Sequence, residues 1–242
     1  MFEREAHFPL AITSMDDEGL VAGLRWCRGH LTDGERLTVW TRLKSNLGNN
    51  QLLNQFVART QGVEHVTARG GALVRRRGSV LMAWPDPGDI AEFAGSSTNF
   101  ITALCVVAWN EDLLRPWVTF ARPELLGDTS AWDVPTPGLD PVVEEGMKNL
   151  TRTINHSNTI AGGYEKDDVV STLLAIHDAG YLLDGTALVG WAVAHGWTGN
   201  NPALLGKYVT SINKGSRPQV LGRFKPNLID YLQGEARKAT EE

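Results

Sequence analysis

Basic residues cluster in one window of the second half of the chain, and their chemistry suits the binding of phosphate groups. Between Gly185 and Ile229 the sequence contains no aspartate or glutamate. The same window holds five cationic residues: Lys207, Lys214, Arg217, Arg223 and Lys225. Lysine and arginine neutralise nucleic-acid phosphates and release the counterions bound to them. The window therefore predicts a surface on which these side chains hold phosphates.

The helices expected in this window have the spacing of a helix-turn-helix. One apolar segment stops at Gly196, and the next starts with Asn201 as its cap and Pro202 in its first turn. In a helix-turn-helix the second helix enters the major groove of DNA. That helix is predicted to expose four polar residues: Lys207, Thr210, Ser211 and Lys214. The lysines would hold phosphates, and the two hydroxyl groups would approach base edges.

A second basic cluster lies in the segment RGGALVRRRGS, which carries the consecutive arginines Arg75, Arg76 and Arg77. We expect them at the exposed tip of a hairpin, because three adjacent side chains of a strand cannot all serve one face. One interpretation is that these arginines bind nucleic-acid phosphates. The other is a solvated turn that discourages pairing between sheet edges, and it is favoured unless both basic clusters face the same way.

Acidic and amide side chains follow two predicted strands and raise the alternative of a metal site. The loops after Trp84 and Trp109 supply five of them: Asp86, Asp89, Asn110, Glu111 and Asp112. At the carboxyl edge of a parallel sheet such groups could hold Mg²⁺ and support phosphoryl chemistry. The same residue types are also ordinary helix caps and first-turn acids, which is the role that we expect for them.

No pattern for a cofactor or a nucleophile accompanies these groups. The sequence has no glycine loop of the nucleotide-binding kind. Its six histidines show no zinc-ligand spacing, and no serine sits in a nucleophile elbow. Catalytic residues, a resident metal ion and a cofactor are therefore not expected.

Composition narrows the class of protein. The chain has 242 residues and a net charge of -5, which argues against coating nucleic acid through bulk charge but allows a local basic patch. Its two cysteines, Cys27 and Cys105, form no disulfide framework, although their pairing stays open. We recognise no secretory signal in the sequence, and no apolar run approaches the ~18 residues of a membrane helix. We expect a cytoplasmic protein.

The elements of the first half predict an α/β domain. Helical spacing covers roughly the first 60 residues, including a helix that begins at Thr32 or Asp33 and ends at Leu47. After Gly62, short β-branched segments between glycines predict strands with tight connections. The run TALCVVAW predicts a strand buried on both faces. Alternation of strand and helix then predicts a small parallel or mixed sheet flanked by helices.

The second half is predicted to be helical. A segment rich in proline and glycine at 127–141 predicts a linker between an α/β domain, residues 1–130, and a helical domain, residues 131–242. Three of the predicted helices end at glycines: Gly180, Gly196 and Gly215. The predicted fold class is thus α/β followed by an all-α, helix-turn-helix-like domain.

These features favour a non-enzymatic binding protein whose basic turn-helix surface contacts DNA or RNA. The alternative is a protein-interaction or scaffold subunit of a larger assembly, because eight tryptophans and several apolar helices could supply an exposed apolar patch. A third hypothesis is a metal-dependent enzyme that uses the acidic loops. The expected partner is therefore nucleic acid or a protein, and not a membrane.

Overall fold

Among the residues that the structure describes, six strands form one parallel sheet in the first half of the chain. The strands are β1 (Leu10–Thr13), β2 (Leu37–Thr41), β3 (Val63–Thr67), β4 (Gly78–Ala83), β5 (Ile101–Val107) and β6 (Glu124–Leu126). Their order across the sheet is β3-β2-β4-β5-β1-β6. Strands β2 and β4 are buried along their whole length, because helices cover both faces of the sheet.

The computed structural model describes most of the chain. The described residues are 8–68, 76–97, 99–133, 138–154, 159–221 and 226–241, with the backbone alone for 94–97. Across these ranges the α/β half is followed by a helical half, which confirms the predicted fold class. In this part of the chain no helix is long and apolar enough to cross a membrane.

Five helices flank the sheet in the described part of the first half. They are α1 (Asp17–Gly29), α2 (Lys44–Asn49), α3 (Gln51–Arg59), α4 (Pro87–Ser97) and α5 (Glu111–Ala121). Helices α1, α2 and α3 pack on the face that carries Leu81, and helices α4 and α5 pack on the face that carries Met82. Adjacent residues of one strand thus serve opposite cores, as the pleat of a strand requires.

Strand β2 lies where the sequence predicts a helix, so that prediction is wrong. All five side chains from Leu37 to Thr41 are buried, and Val39 and Trp40 belong to the cores on opposite faces. A strand buried on both faces has no polar alternation, and the spacing of Leu37 and Trp40 imitates a helical period. Strand β1 also falls in the segment for which helix is predicted.

The first arm of the hairpin predicted around Arg75–Arg77 lies outside the described residues, and β3 and β4 themselves form no hairpin. Strand β2 lies between them in the sheet, and all three strands run parallel. The connection must therefore return from one edge of the sheet to the other, which a tight turn cannot do. Arg75 lies outside the described residues, whereas Arg76 and Arg77 lead directly into β4.

The described helices of the second half agree with the predicted pattern. They are α6 (Pro141–Thr153), α7 (Gly163–Asp178), α8 (Gly185–Ala194), α9 (Asn201–Asn213) and α10 (Leu228–Glu241). Asp140 caps α6 by accepting a hydrogen bond from the Val142 amide at 2.8 Å. Helix α9 begins one residue earlier than predicted, since Asn200 occupies the flanking position.

Helix α8 joins the two halves. It is apolar on every side, as expected for a buried helix. Val193 belongs to the core under the sheet, whereas Leu188 and Trp191 belong to the helical core. At Gly190 the helix touches α5: a Cβ atom there would lie 2.6 Å from the carbonyl carbon of Pro116. Only glycine allows this approach.

The segment before α6 also packs on the sheet side. Residues Ser130–Trp132 form a 3₁₀ turn, and Trp132 contacts the core that α4 and α5 cover. Arg115 lies over the Trp132 ring and donates a hydrogen bond to the Ala131 carbonyl at 2.7 Å. Residues 134–137 are outside the description, and a domain division near residue 130 stays a prediction.

The α5–α8 contact makes a testable prediction. Replacing Gly190 by alanine should lower the free energy of unfolding by about 1–3 kcal/mol, because the backbone of Pro116 must move away. Gly234 of α10 is the matched control, since no atom lies near its Cβ position. Gly234→Ala should raise the stability by up to about 1 kcal/mol. Urea unfolding of both variants checks the pair, and an unchanged Gly190→Ala midpoint would contradict the contact.

Both cysteines are free and buried. Burial, reinforced by the neighbouring Cys105 thiol, raises the pKa of Cys27 well above its ordinary value. Because the thiolate is the reactive form, the native protein should not react with Ellman's reagent at neutral pH. Unfolding in urea should release two thiols per chain. Rapid reaction of the native protein would show that this core opens.

Candidate nucleic-acid interface

A cleft of about 730 Å³ opens between helices α5, α8 and α9, beside the first residue of α4. Five polar residues of α9 and the segment after it line the cleft: Lys207, Thr210, Ser211, Lys214 and Ser216. The first four are the residues that the sequence predicts on the exposed side of the second helix. The structure therefore brings these four candidates to one cleft.

Helix α9 presents this side because its apolar residues face the other way. Leu205, Val209 and Ile212 are fully buried in the helical core, at the spacing of one helical face. The Tyr208 hydroxyl donates a hydrogen bond to the Ile160 carbonyl at 2.7 Å, which anchors the same face. The opposite positions, including Lys207, are left at the surface.

The cleft has a positive electrostatic character. None of the described residues that line it is acidic. Lys207 and Lys214 form no ion pair with any residue in the described ranges. Their ammonium groups are therefore available to an anionic ligand.

The opposite wall of the cleft limits what can reach α9. Leu113 and Pro116 of α5 line that wall, and Pro87 closes one end. Lys207, Thr210 and Lys214 of this side are exposed, and they share the cleft with the two α5 residues. In a helix-turn-helix the second helix must stand clear enough to enter the major groove. This geometry suits a single strand laid along the cleft.

Arg217 does not join the cleft, because a carboxylate holds it elsewhere. Its Nη1 donates to Oδ1 of Asp178 at 2.9 Å, and its Nη2 donates to Oδ2 of the same residue. This bidentate pair, more than the nearby His177, lowers the pKa of Asp178. The positive charge of Arg217 is thus neutralised within the protein.

Among the remaining basic candidates that the structure describes, Arg76 and Arg77 do not line the cleft. Arg223 and Lys225 lie outside the described residues. Arg76 is exposed, and Arg77 forms an ion pair with Glu35 at 3.0 Å. Both precede β4 at the amino edge of the sheet, whereas the cleft begins after β4 at the carboxyl edge. Arg76 and Arg77 therefore lie at the end of the sheet opposite to the residues of the cleft that follow β4.

The acidic loops serve the local structure. Asp86 and Asp89 exchange hydrogen bonds with each other's backbone amides at 3.0 and 2.9 Å, and Arg42 bridges both carboxylates. Burial raises the pKa of Asp89, which makes its ionised form costlier. Asn110 caps α5 through the Leu113 amide at 3.2 Å.

The last two acids of the predicted set lie in the first turn of α5. Asp112 pairs with Arg115 at 3.0 Å, and Glu111 precedes it. Within the described ranges no group of three histidine, cysteine or acidic side chains is arranged to hold a metal ion.

A second cationic cleft, of about 520 Å³, was not predicted from the sequence. Arg25 and Arg28 of α1 line it together with Arg59 of α3. The Arg28 guanidinium lies over the ring of Phe56, 5.8 Å from its centre. The spacing of three residues between Arg25 and Arg28 is a helical signal. Their meeting with Arg59 depends on the packing of α1 against α3.

Comparison with known families covers the helical half. A family model described as "Domain of unknown function (DUF1889)" matches residues 139–233. This segment is similar to that family. It takes in α6 to α9 and the start of α10, and so includes the α8 and α9 side of the cleft. No curated protein matches the chain.

The Arg217–Asp178 pair makes a prediction about pH. Arg217→Gln should raise the pKa of Asp178 toward the ordinary carboxyl value, because the bidentate partner that favours the ionised form is removed. The stabilisation from this pair is present above the ordinary carboxyl pKa and is lost as the pH falls through the lowered one. Carboxyl ¹³C titration by NMR checks this. An Asp178 titration that stays unchanged in the variant would refute the pairing.

Proposed function

We propose that this protein is a non-enzymatic binding protein that holds single-stranded nucleic acid in the cleft between α5, α8 and α9. One observation carries the proposal: Lys207, Thr210, Ser211 and Lys214 line one cleft that no described acidic residue lines. Positive grooves that follow a phosphate backbone are the usual means of binding single strands.

Each polar residue has a role that its position supports. Lys207 and Lys214 lie seven residues apart, about 10 Å along the helix, so they contact separate phosphates. The Thr210 hydroxyl donates to the Gly206 carbonyl at 2.8 Å and so remains an acceptor for a base amino group. Ser211 stands beside it as a second hydroxyl contact.

The proposed site of action is the cytoplasm. Two free cysteines suit a reducing compartment. The alternative function, a subunit of a protein assembly, draws on the second cationic cleft. There the apolar side chains of Val21, Leu52 and Phe56 lie beside three arginines, an arrangement that suits an acidic and apolar protein segment.

Salt dependence of binding tests the proposal. A fluorescein-labelled oligo-dT and an oligo-U strand are titrated with the protein at several salt concentrations, and binding is read by anisotropy. Two phosphate contacts predict a slope of log K against log salt of about -1.4 for a single strand. Lys207→Glu/Lys214→Glu should weaken binding at low salt by about tenfold or more and remove most of that slope.

The matched control reverses charge in the other cationic cleft. Arg25→Glu/Arg59→Glu changes the net charge by the same amount at exposed positions, so it should leave most of the affinity in place. Three results would overturn the proposal: no binding at low salt, binding that is insensitive to salt, or loss of binding in the arginine variant alone. A duplex that binds more tightly than the single strand would also contradict it.

A further inference from the structure

A cleft of about 560 Å³ lies at the carboxyl edge of the sheet, and the function proposed above does not use it. Met15, Arg42, Trp84 and Trp109 line it, each close behind the end of a parallel strand. The lining is completed by three asparagines of the α2–α3 segment and one carboxylate: Asn46, Asn49, Asn50 and Asp86.

The order of the strands creates a crevice at the carboxyl edge of the sheet. The helices after β1 and β2 pack on one face of the sheet, whereas those after β4 and β5 pack on the other. The segments that follow the neighbouring strands β2 and β4 therefore diverge to opposite faces of the sheet. The segments that follow β1 and β5 diverge in the same way. Ligands of open parallel sheets bind in the crevice that such a divergence creates.

Trp84 occupies a backbone conformation that a bulky side chain rarely adopts. Its φ is 59°, in the left-handed region. The Trp84 amide donates to the Val107 carbonyl at 3.0 Å, which ties this residue to the end of β5. Backbone outliers of this kind cluster at ligand sites, where the surrounding structure maintains the strain. Here the side chain is left partly exposed in the cleft.

Trp109 supplies a second aromatic surface. Its side chain is 48% exposed, although it follows a buried strand. The indole Nε1 donates to the Pro85 carbonyl at 3.2 Å, so the ring is held in place. A fixed and exposed indole offers a flat face on which a planar ring can stack.

The asparagines add hydrogen-bond donors. Oδ1 of Asn46 accepts from the Leu43 amide at 3.0 Å, and Oδ1 of Asn50 accepts from the Leu53 amide at 2.8 Å. These bonds fix the orientation of both side-chain amides. Their Nδ2 groups donate to no residue of the described ranges. The cleft therefore offers donors to a ligand that carries acceptors.

The charges in and around the cleft favour an uncharged ligand. The Arg42 guanidinium contacts Asp86 at 2.9 Å and Asp89 at 3.3 Å, so its charge is balanced. The first turns of α1 and α5, which begin at the same edge, carry acidic side chains: Asp17, Glu18, Glu111 and Asp112. These acids repel a free phosphate.

We propose that this cleft binds the ring of a nucleobase, with the base stacked on Trp109 and Trp84 and its ring nitrogens or carbonyls accepting from Asn46 and Asn50. The inference is independent of the single-strand proposal, since a nucleoside carries no phosphate for Lys207 or Lys214.

Nucleosides without phosphate test the inference. Adenosine and uridine are titrated into the ¹⁵N-labelled full chain, and the indole N–H signals are followed by NMR. We expect saturable shifts of the Trp109 signal. Trp109→Ala should weaken the affinity measured by calorimetry by about 5- to 150-fold, the range that stacking of one base supplies. Asn46→Asp keeps the acceptor for Leu43 but removes the donor, and it should also weaken binding.

Two variants separate this site from the rest of the molecule. Trp26→Ala removes an indole of α1 that instead donates to Glu124, and it should leave the affinity unchanged. Lys207→Glu/Lys214→Glu should also bind nucleosides normally, whatever it does to oligonucleotides. The inference is overturned if neither nucleoside binds, or if Trp109→Ala binds as well as the original chain. Tighter binding of adenosine monophosphate than of adenosine, or binding of maltose in place of nucleosides, overturns it equally.

Discussion

The close approach of α5 and α8 at Gly190 is the constraint on which the rest of the arrangement depends. Because glycine has no side chain, α8 can lie directly on the backbone of Pro116. Val193 then reaches the core beneath the sheet while Trp191 remains in the helical core. Helix α9 packs on the other side of α8, and the same contact therefore sets its distance from α5. The width of the cleft between α5, α8 and α9 follows from that distance.

The carboxyl edge of the sheet organises both candidate sites. Asp86 lines the cleft with Trp84 and Trp109, and the next residue, Pro87, lines the cleft between α5, α8 and α9. The two clefts are therefore neighbours that share the loop after β4. Their chemistry differs because ion pairs with Arg42 neutralise the first, whereas Lys207 and Lys214 have no acidic partner in the described ranges. The proposed ring ligand and the proposed phosphate chain would thus occupy separate surfaces at one edge of the sheet.

Helical periodicity was the most informative signal in the sequence, and it failed where its physical basis is missing. The exposed side of α9 was predicted correctly as a surface, because an amphipathic helix shows one apolar face. Strand β2 was mistaken for a helix, because a strand buried on both faces has no polar alternation. The cations near α9 could be counted, but the neutralisation of Arg217 could not be predicted, since Asp178 lies 39 residues away.

The sequence by itself determined the α/β-then-helical order, the Asp140 cap of α6, the glycines that follow the later helices, and the polar side of α9. These are local properties, which neighbouring residues impose through backbone sterics, capping bonds and periodic burial. The tertiary structure alone decided the strand order and the surroundings of each charged side chain. Lys207 lines a cleft, Arg77 forms an ion pair with Glu35, and Arg42 forms one with Asp86. Such pairings depend on segments that are distant in sequence and are brought together only by the packing of helices on the sheet.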